Sequence, residues 1–558
     1  MTPDPFGLRA PAYVAARYRC EGWWRDRSIL HDLLSAAATC PDRPAIISHR
    51  AATGRVITIR YGELLRYVRR FTGALSALGI RRGDAVAYQL PDWWEMTALT
   101  LACMWIGAVA VPIQPSIGPR ELELILTDAR ARLCVTPQNW QGTELARELE
   151  RMASRLPRLR HRVVYGEQPG DGAIDFADHF LNTPHEDLVR TPLPLPTGAA
   201  LDEARLLMFT SGTTGQRKSV LHTENSIYAG IAGHAQPVQR GWARHEVFCT
   251  PHPITGLAGL LYCIWGPLLA QGTGVYQDVW DAGRQLDLIA TAGVTQLFAA
   301  PVFLSQLLDE QQRQPRELPS LRLLKSGAAP IPGHLVHELS DEFAVPIRAC
   351  WAMTEVGMGM RIREDDPDLW AAHSDGRPLP GLSTDLRPVP GAEGLYRLWV
   401  SGPSLCSTVW QTDASGNRDV HALWDTDGGW LDTGDLVRPD GRGGIRFAGR
   451  ANRRIGGMFM VPVEDVETEL QQHPAIREVA VIGYPVSDCD EQPCVVVAPR
   501  GRCPSLAELR DFLGWRGMTQ WYLPTKLIQV DTLPRDACGK VDYDRLPRLL
   551  TAAGVSQH

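Results

Sequence analysis

Lysine is almost missing from this 558-residue chain: only Lys218, Lys325, Lys526 and Lys540 occur among 57 basic residues. Arginine fills the remaining basic positions, as a GC-rich coding bias would produce. A lysine that persists marks a place where the compact ammonium could not be exchanged for a guanidinium. A strong charge bias is missing too. The formal net charge of -6 gives no general pull toward nucleic acid or an anionic membrane. The twelve cysteines include no C-x-x-C pair and no accompanying histidine cluster, so the usual zinc spacing is absent. Free thiols in a reducing cytoplasm are the expectation. The opening MTPDPFGLRAPAYVAARYRCEGWW has no apolar core of the secretion-signal kind. A spanning apolar run is lacking as well. The segment 96–113 comes nearest, but it carries Thr97, Thr100 and Gly107 and meets Pro112 before reaching spanning length. It reads as a buried helix entering a buried strand. A cytoplasmic protein without membrane or nucleic-acid partners is expected.

The content is that of a globular chain, 44% hydrophobic and 22% charged, and too long for one hydrophobic core. Leu64, Val68, Phe71, Leu75 and Leu78 recur at helical spacing before Gly79. Segments 85–90, 133–137, 295–301 and 321–330 read as strands ending in turns. Strands separated by helices predict an α/β fold of layered, mainly parallel sheets. From about 380 to 449 short alternating runs broken by Gly, Pro and Asp predict a small antiparallel barrel or sheet. After a polar, Gly-flanked junction at 450–455, a helix–strand–strand–helix unit predicts a small α+β domain over 456–558. The large domain is then 1–449.

The strongest local signal is LLMFTSGTTGQRKSVLHTENS, 206–226. An apolar strand runs into Thr210, Ser211, Gly212, Thr213, Thr214 and Gly215, then Lys218. Small residues let backbone N–H groups and hydroxyls converge on phosphate oxygens, and Lys218 adds a positive charge. The spacing is not that of a Walker A loop. An ordinary Ser/Thr/Gly turn is the bland alternative.

This loop resembles the hallmark of the adenylate-forming superfamily of acyl-CoA synthetases, peptide-synthetase adenylation domains and luciferases. Further matching motifs follow in the family's order across nearly the whole chain. WAMTE (351–355) is similar to the family's Tyr-Gly-x-Thr-Glu. The resemblance implies that Trp351 lies against adenine, Thr354 meets the α-phosphate region and Glu355 holds Mg²⁺. An indole is a good stacking surface and a carboxylate a good ligand for a hard cation. SGAAP (326–330) resembles the loop bordering adenine and the acid, which implies nucleotide contacts from Gly327, Ala328 and Ala329 and a pocket contact from Gly327. WLDTGDL (430–436) implies that Asp435 binds the ribose hydroxyls, and FAGR (447–450) places Arg450 beside the ribose at the junction. LPRDACGKVDYDRL (533–546) puts Lys540 where the family lysine bridges the acid and the α-phosphate. The reaction implied joins an acid to AMP with release of pyrophosphate, using ATP and Mg²⁺. Lys540 and Lys218 meet the developing charge, and the small domain then rotates about a hinge at Arg453.

Three departures bear on substrate and acceptor. CTPHPITGLAGLLYC (249–263) resembles the family's Pro-x-x-His motif, and aligned on Pro253 its His position is Gly256, which would line the substrate pocket. His252 lies just before it. The usual Pro-Lys-Gly after the phosphate loop is Arg217-Lys218-Ser219, and the acceptor loop reads IGGMFM over 455–460. The N-terminal AARYRCEGWWRDRSILHDLL resembles the opening of aryl- and alicyclic-acid members. An acid–CoA ligase acting on a small aromatic acid is the leading expectation. Loading of an aryl acid onto a carrier protein is one alternative. A diazotase that adenylates nitrite and passes it to an aromatic amine is the other.

Overall fold

A computed structural model describes all residues except 1–3, 189–193, 212–216, 236–244, 330, 391, 413–416, 426–427, 451–454, 456–460, 488–489, 536–540, 544 and 553–558. Two large sheets form the body, each nine-stranded among the described residues. The first runs Arg418–Ala422, Thr408–Thr412, Arg217–Thr223, Ala204–Ser211, Val109–Pro112, Ala85–Tyr88, Leu133–Pro137, His161–Tyr165 and Ile174–Asp175. Its pairings are parallel from Ala204–Ser211 outward through Ile174–Asp175, and antiparallel on the other side. The second runs Arg377–Pro378, Gly357–Arg361, Ile347–Met353, Leu323–Ser326, Gln296–Ala299, Val247–Cys249, Thr273–Gln277, Pro44–Arg50 and Arg55–Arg60. Its middle is parallel, and antiparallel hairpins close both edges.

Between the sheets lie helices with the predicted patterns. Tyr61–Ala77 buries Leu64, Val68, Phe71 and Leu75. Trp94–Ile106 is buried along its length and ends at left-handed Gly107 (φ 74°) before the strand Val109–Pro112. A helix that is apolar all round sits inside a protein as readily as inside a bilayer. Among the described residues no helix is long and apolar enough to cross a membrane.

The segment 380–449 holds the antiparallel sheet that its texture predicts, although not all of its strands stay in that sheet. Ser383–Pro388, Tyr396–Ser401, Leu431–Pro439 and Ile445–Arg450 form a four-stranded antiparallel sheet with no pairing that joins its ends. The hairpin Thr408–Thr412/Arg418–Ala422 leaves it, because Thr408–Thr412 pairs with Arg217–Thr223 of the first large sheet. Asp128 fastens that junction, accepting from Trp410 Nε1 and Thr412 Oγ1 at 2.8 Å each and pairing with Arg418.

The C-terminal unit has the predicted order. Val463–Gln471 packs on the long hairpin Ile476–Ser487/Asp490–Pro499, followed by the helix Leu506–Trp515 and the strand Lys526–Gln529. Ser505 and Glu508 form a reciprocal cap at the start of its second helix.

Candidate active site

Strand geometry sets the phosphate-loop end of the site. Thr210 pairs with Lys218 and Ser211 with Arg217 in an antiparallel ladder. Gly212, Thr213, Thr214 and Gly215 lie outside the described residues. Lys218 crosses to the neighbouring sheet, where its ammonium meets Glu355 Oε1 at 2.6 Å. Glu355 stands in the turn between Ile347–Met353 and Gly357–Arg361, and its carboxylate is buried. Two motifs 137 residues apart are thus joined by a charge-assisted contact.

His222, which sequence reasoning passed over, completes this junction. It is fully buried and its Nε2–H donates to the Thr354 carbonyl at 2.7 Å, while Nδ1 lies 3.0 Å from Ser226 Oγ. Burial pulls the imidazole down to about 4, so the ring is neutral at physiological pH. The signal was present: His222 is four residues beyond Lys218 on one strand, and alternation puts both on the same face.

Trp351 and Asp435 come together through side chains. The Trp351 indole N–H donates to Asp435 Oδ2 at 2.8 Å, and both residues are buried. Trp351 belongs to a core cluster with Met360, Leu382 and Leu398, so its packing supports the contact to Asp435. Arg450 lies directly across the ladder from Asp435. Arg453 and Lys540 lie outside the described residues.

One cavity of about 330 Å³ opens beside Thr354 and Glu355, with Trp351 and Asp435 outside its lining. Its lining includes Thr210, Ala328, Thr354 and Glu355 with Met208, Phe298 and Leu261. Gly256 is on its surface, with φ -93° and ψ 150°, at the start of a helical turn. A Cβ there would meet only Pro253 O, at 3.4 Å. Backbone strain therefore does not require glycine at 256, which excludes a mere turn-former. Gly327, expected on the pocket surface, is not among the lining residues; Ala328 takes that place at φ 69°. Gly327 sits behind it, where an added Cβ would approach Cys350 O to 2.8 Å and the Phe298 ring to 3.1 Å. Ala329 follows, half-buried.

The C-terminal unit closes one side with Pro462, Asp465, Trp521 and Tyr522. It is held by Thr519 Oγ1, which donates to Glu121 at 2.9 Å and accepts from Gly118 N at 3.1 Å, and by Arg120 paired with Asp465 and Glu469. No sequence pattern announced these contacts, because each joins residues far apart in the chain.

Two motif-bearing sheets joined through Lys218 and the buried Glu355, with a C-terminal unit closing one side of the cavity, have the build of an adenylate-forming enzyme. The chain belongs to the AMP-binding enzyme family, whose model matches residues 33–410, with the family's C-terminal domain matching 465–540. It is 27% identical over 536 residues to a medium-chain fatty-acid–CoA ligase of Escherichia coli, covering 94% of this chain and 91% of that one. It is 28% identical over 553 residues to a 2-hydroxy-7-methoxy-5-methyl-1-naphthoate–CoA ligase of Streptomyces carzinostaticus, covering 98% and 97%. In fold it is similar to the amide bond synthetase of Marinactinospora thermotolerans, with a TM-score of 0.76 and 24% identity over 93% of this chain and 99% of that one.

Proposed function

We propose that this chain adenylates a small aromatic acid with ATP, releases pyrophosphate, and passes the acyl group to the thiol of CoA. One observation carries the reading: Thr354 and Glu355, the latter paired with Lys218, open onto the same cavity as an apolar wall of Met208, Leu261 and Phe298. Phosphate chemistry and an aryl-sized chamber thus share one space. The fatty-acid and naphthoate ligases among its relatives support an acid as substrate and CoA as acceptor.

In the adenylation step an acid oxygen bonds to the α-phosphorus as the bond to the pyrophosphate oxygen breaks. Lys218 would turn from Glu355 to the phosphates, and Thr354 would donate to an α-phosphate oxygen. Asp435, steadied by Trp351, would accept from the ribose hydroxyls beside Arg450. Gly212, Thr213, Thr214 and Gly215 would supply backbone donors, and Gly327 with Ala328 and Ala329 the adenine border. Glu355 suits Mg²⁺: a buried carboxylate whose partner ammonium has an alternative anion in the phosphates. That ion would offset phosphate charge. Lys540 would reach the reacting oxygens from the C-terminal unit, with Arg453 as its hinge. Transfer then follows when the CoA sulfur, its proton lost, attacks the acyl carbon and AMP leaves.

The test is pyrophosphate release and AMP formation across a panel of aryl and aliphatic acids, each with and without CoA. Acid-dependent pyrophosphate release followed by CoA-dependent thioester is expected. Acyl-AMP that moves only to a carrier-protein thiol would replace CoA as the acceptor. Pyrophosphate release that needs nitrite and an aminoaryl acid would replace the reading altogether.

A further inference from the structure

His252 is the one histidine on the cavity surface among the described residues. It is 4% exposed, and its Nε2 has no hydrogen-bond partner. Its ring lies flat on Phe298, with centroids 4.9 Å apart and planes at 21°, and meets Phe303 edge-on at 5.9 Å. Phe298 is itself stacked on Tyr262 at 4.8 Å and 21°, and the Lys325 ammonium lies 5.3 Å from the Tyr262 ring centroid. This three-ring column fixes the imidazole, so the ring cannot swing to another partner without unstacking.

Three polar neighbours on the same surface are already engaged. Glu355 holds Lys218, Thr255 donates to Gln114, and Asp465 holds Arg120. A buried ring nitrogen left unpaired costs free energy that an apolar ring of the same shape would not. A ligand group that completes the bond removes that cost. Burial brings the His252 imidazole down to about 4, so it is uncharged at neutral pH. No arginine or lysine is among the described lining residues, so an extra anion set against Phe298 and Phe303 would lack a cation. A hydroxyl or amino group both donates and accepts, and either tautomer of the neutral ring satisfies it.

We infer that the acid taken by this site carries an uncharged hydroxyl or amino substituent, and that His252 is the residue that recognises it. The inference rests on the acid-adenylating reading of the cavity. The carboxylate itself is then left to the end that holds Thr354 and Glu355, the latter paired with Lys218.

The experiment measures kcat/KM for pyrophosphate release with benzoic and cinnamic acids, their hydroxy and amino derivatives at each ring position, and hexanoic acid. Native enzyme, His252→Phe and His252→Gln are compared, with a melting curve for each. Native enzyme should favour one substituted isomer over its unsubstituted parent by about tenfold or more, because a site built to bond a substrate group rejects the analogue lacking it. His252→Phe keeps the ring stack and should bring that ratio close to one. His252→Gln, which keeps a donor and an acceptor, should restore part of it.

Native enzyme without a substituent preference overturns the inference, with no variant needed. So does a preference that survives His252→Phe, or an equal loss for every acid, which would put His252 at the carboxylate. Hexanoate as the best substrate overturns it while adenylation stands. Pyrophosphate release from none of the acids brings down the adenylation reading, and this inference with it.

Discussion

The body of the site and its lid are held by different sets of contacts. In the body, Lys218–Glu355, Trp351–Asp435 and His222–Thr354 are short polar contacts that sit inside the protein and join motifs far apart in sequence. At the C-terminal unit one buried contact, Thr519 with Glu121, is accompanied by a partly exposed one, Arg120 with Asp465, whose side chains are 29% and 30% exposed. Buried contacts are costly to break singly, because a buried partner is stranded. Partly exposed ones are worth little and exchange readily with water. The Lys218–Glu355 end is therefore fixed by buried contacts, whereas at the C-terminal unit Thr519–Glu121 is the contact costly to lose and Arg120–Asp465 the one that is not.

The largest effect is expected at the cavity wall. Gly256→His should abolish turnover by filling the chamber beside the phosphates, with ATP binding retained. Gly256→Ala should leave the melting temperature within the error of a neutral change, since φ is negative and the new Cβ has room. A fully active His variant would show that the wall is not the substrate's. On the lid, Lys540→Ala should slow adenylate formation by about 10²–10³ while ATP still binds; an unchanged rate of pyrophosphate release would remove Lys540 from the chemistry.

Within the body, Trp351→Phe removes the indole donor to Asp435 and should raise the KM for ATP by about tenfold, the usual worth of one charge-assisted hydrogen bond. The informative number is discrimination between ATP and 3′-deoxy-ATP. If Trp351 acts through the ribose contact, that ratio should shrink in Trp351→Phe as it does in Asp435→Asn. Discrimination lost in Asp435→Asn but intact in Trp351→Phe would leave the indole a packing residue.

Acid should test the body next. His222 and His252 sit near 4 in the folded protein through burial, below the 6.5 of an exposed histidine. The unfolded chain then takes up protons first, so stability present above pH 6.5 is lost as pH falls toward 4, by on the order of 3 kcal/mol per ring. Melting temperatures between pH 7 and 4 should fall steeply, and His222→Gln should flatten the curve. The smallest effect is expected at the lid contact. Arg120→Ala should cost below about 1 kcal/mol, and a large loss would mean that this pair is held as tightly as a buried one.

Local chemistry was enough to read much of this protein from its sequence. The buried helix showed in the apolar run 96–113 that meets Pro112, and the strand entering the 210–215 loop in an apolar stretch followed by small residues and a lysine; its partner strand did not show. The motif order around Lys218, Glu355 and Asp435 was legible because each motif is contiguous. The folded chain alone decided which motif touches which. Lys218 reaches Glu355 because strands from two sheets converge, and no window of sequence contains both. Trp351 serves Asp435 because a core cluster turns its indole edge that way. The hairpin 408–422 leaves its neighbours because its free edge matched Arg217–Thr223. Ala328 displaced Gly327 from the pocket surface because the Phe298 ring and the Cys350 carbonyl leave no space for a side chain behind it. His252 was visible as a letter beside a motif, but only packing against Phe298 and Phe303 buried it, kept it neutral and left its Nε2 without a partner at the edge of a cavity. Periodicity and spacing fix what a segment can become; burial and long-range contact fix what each side chain in it is free to do.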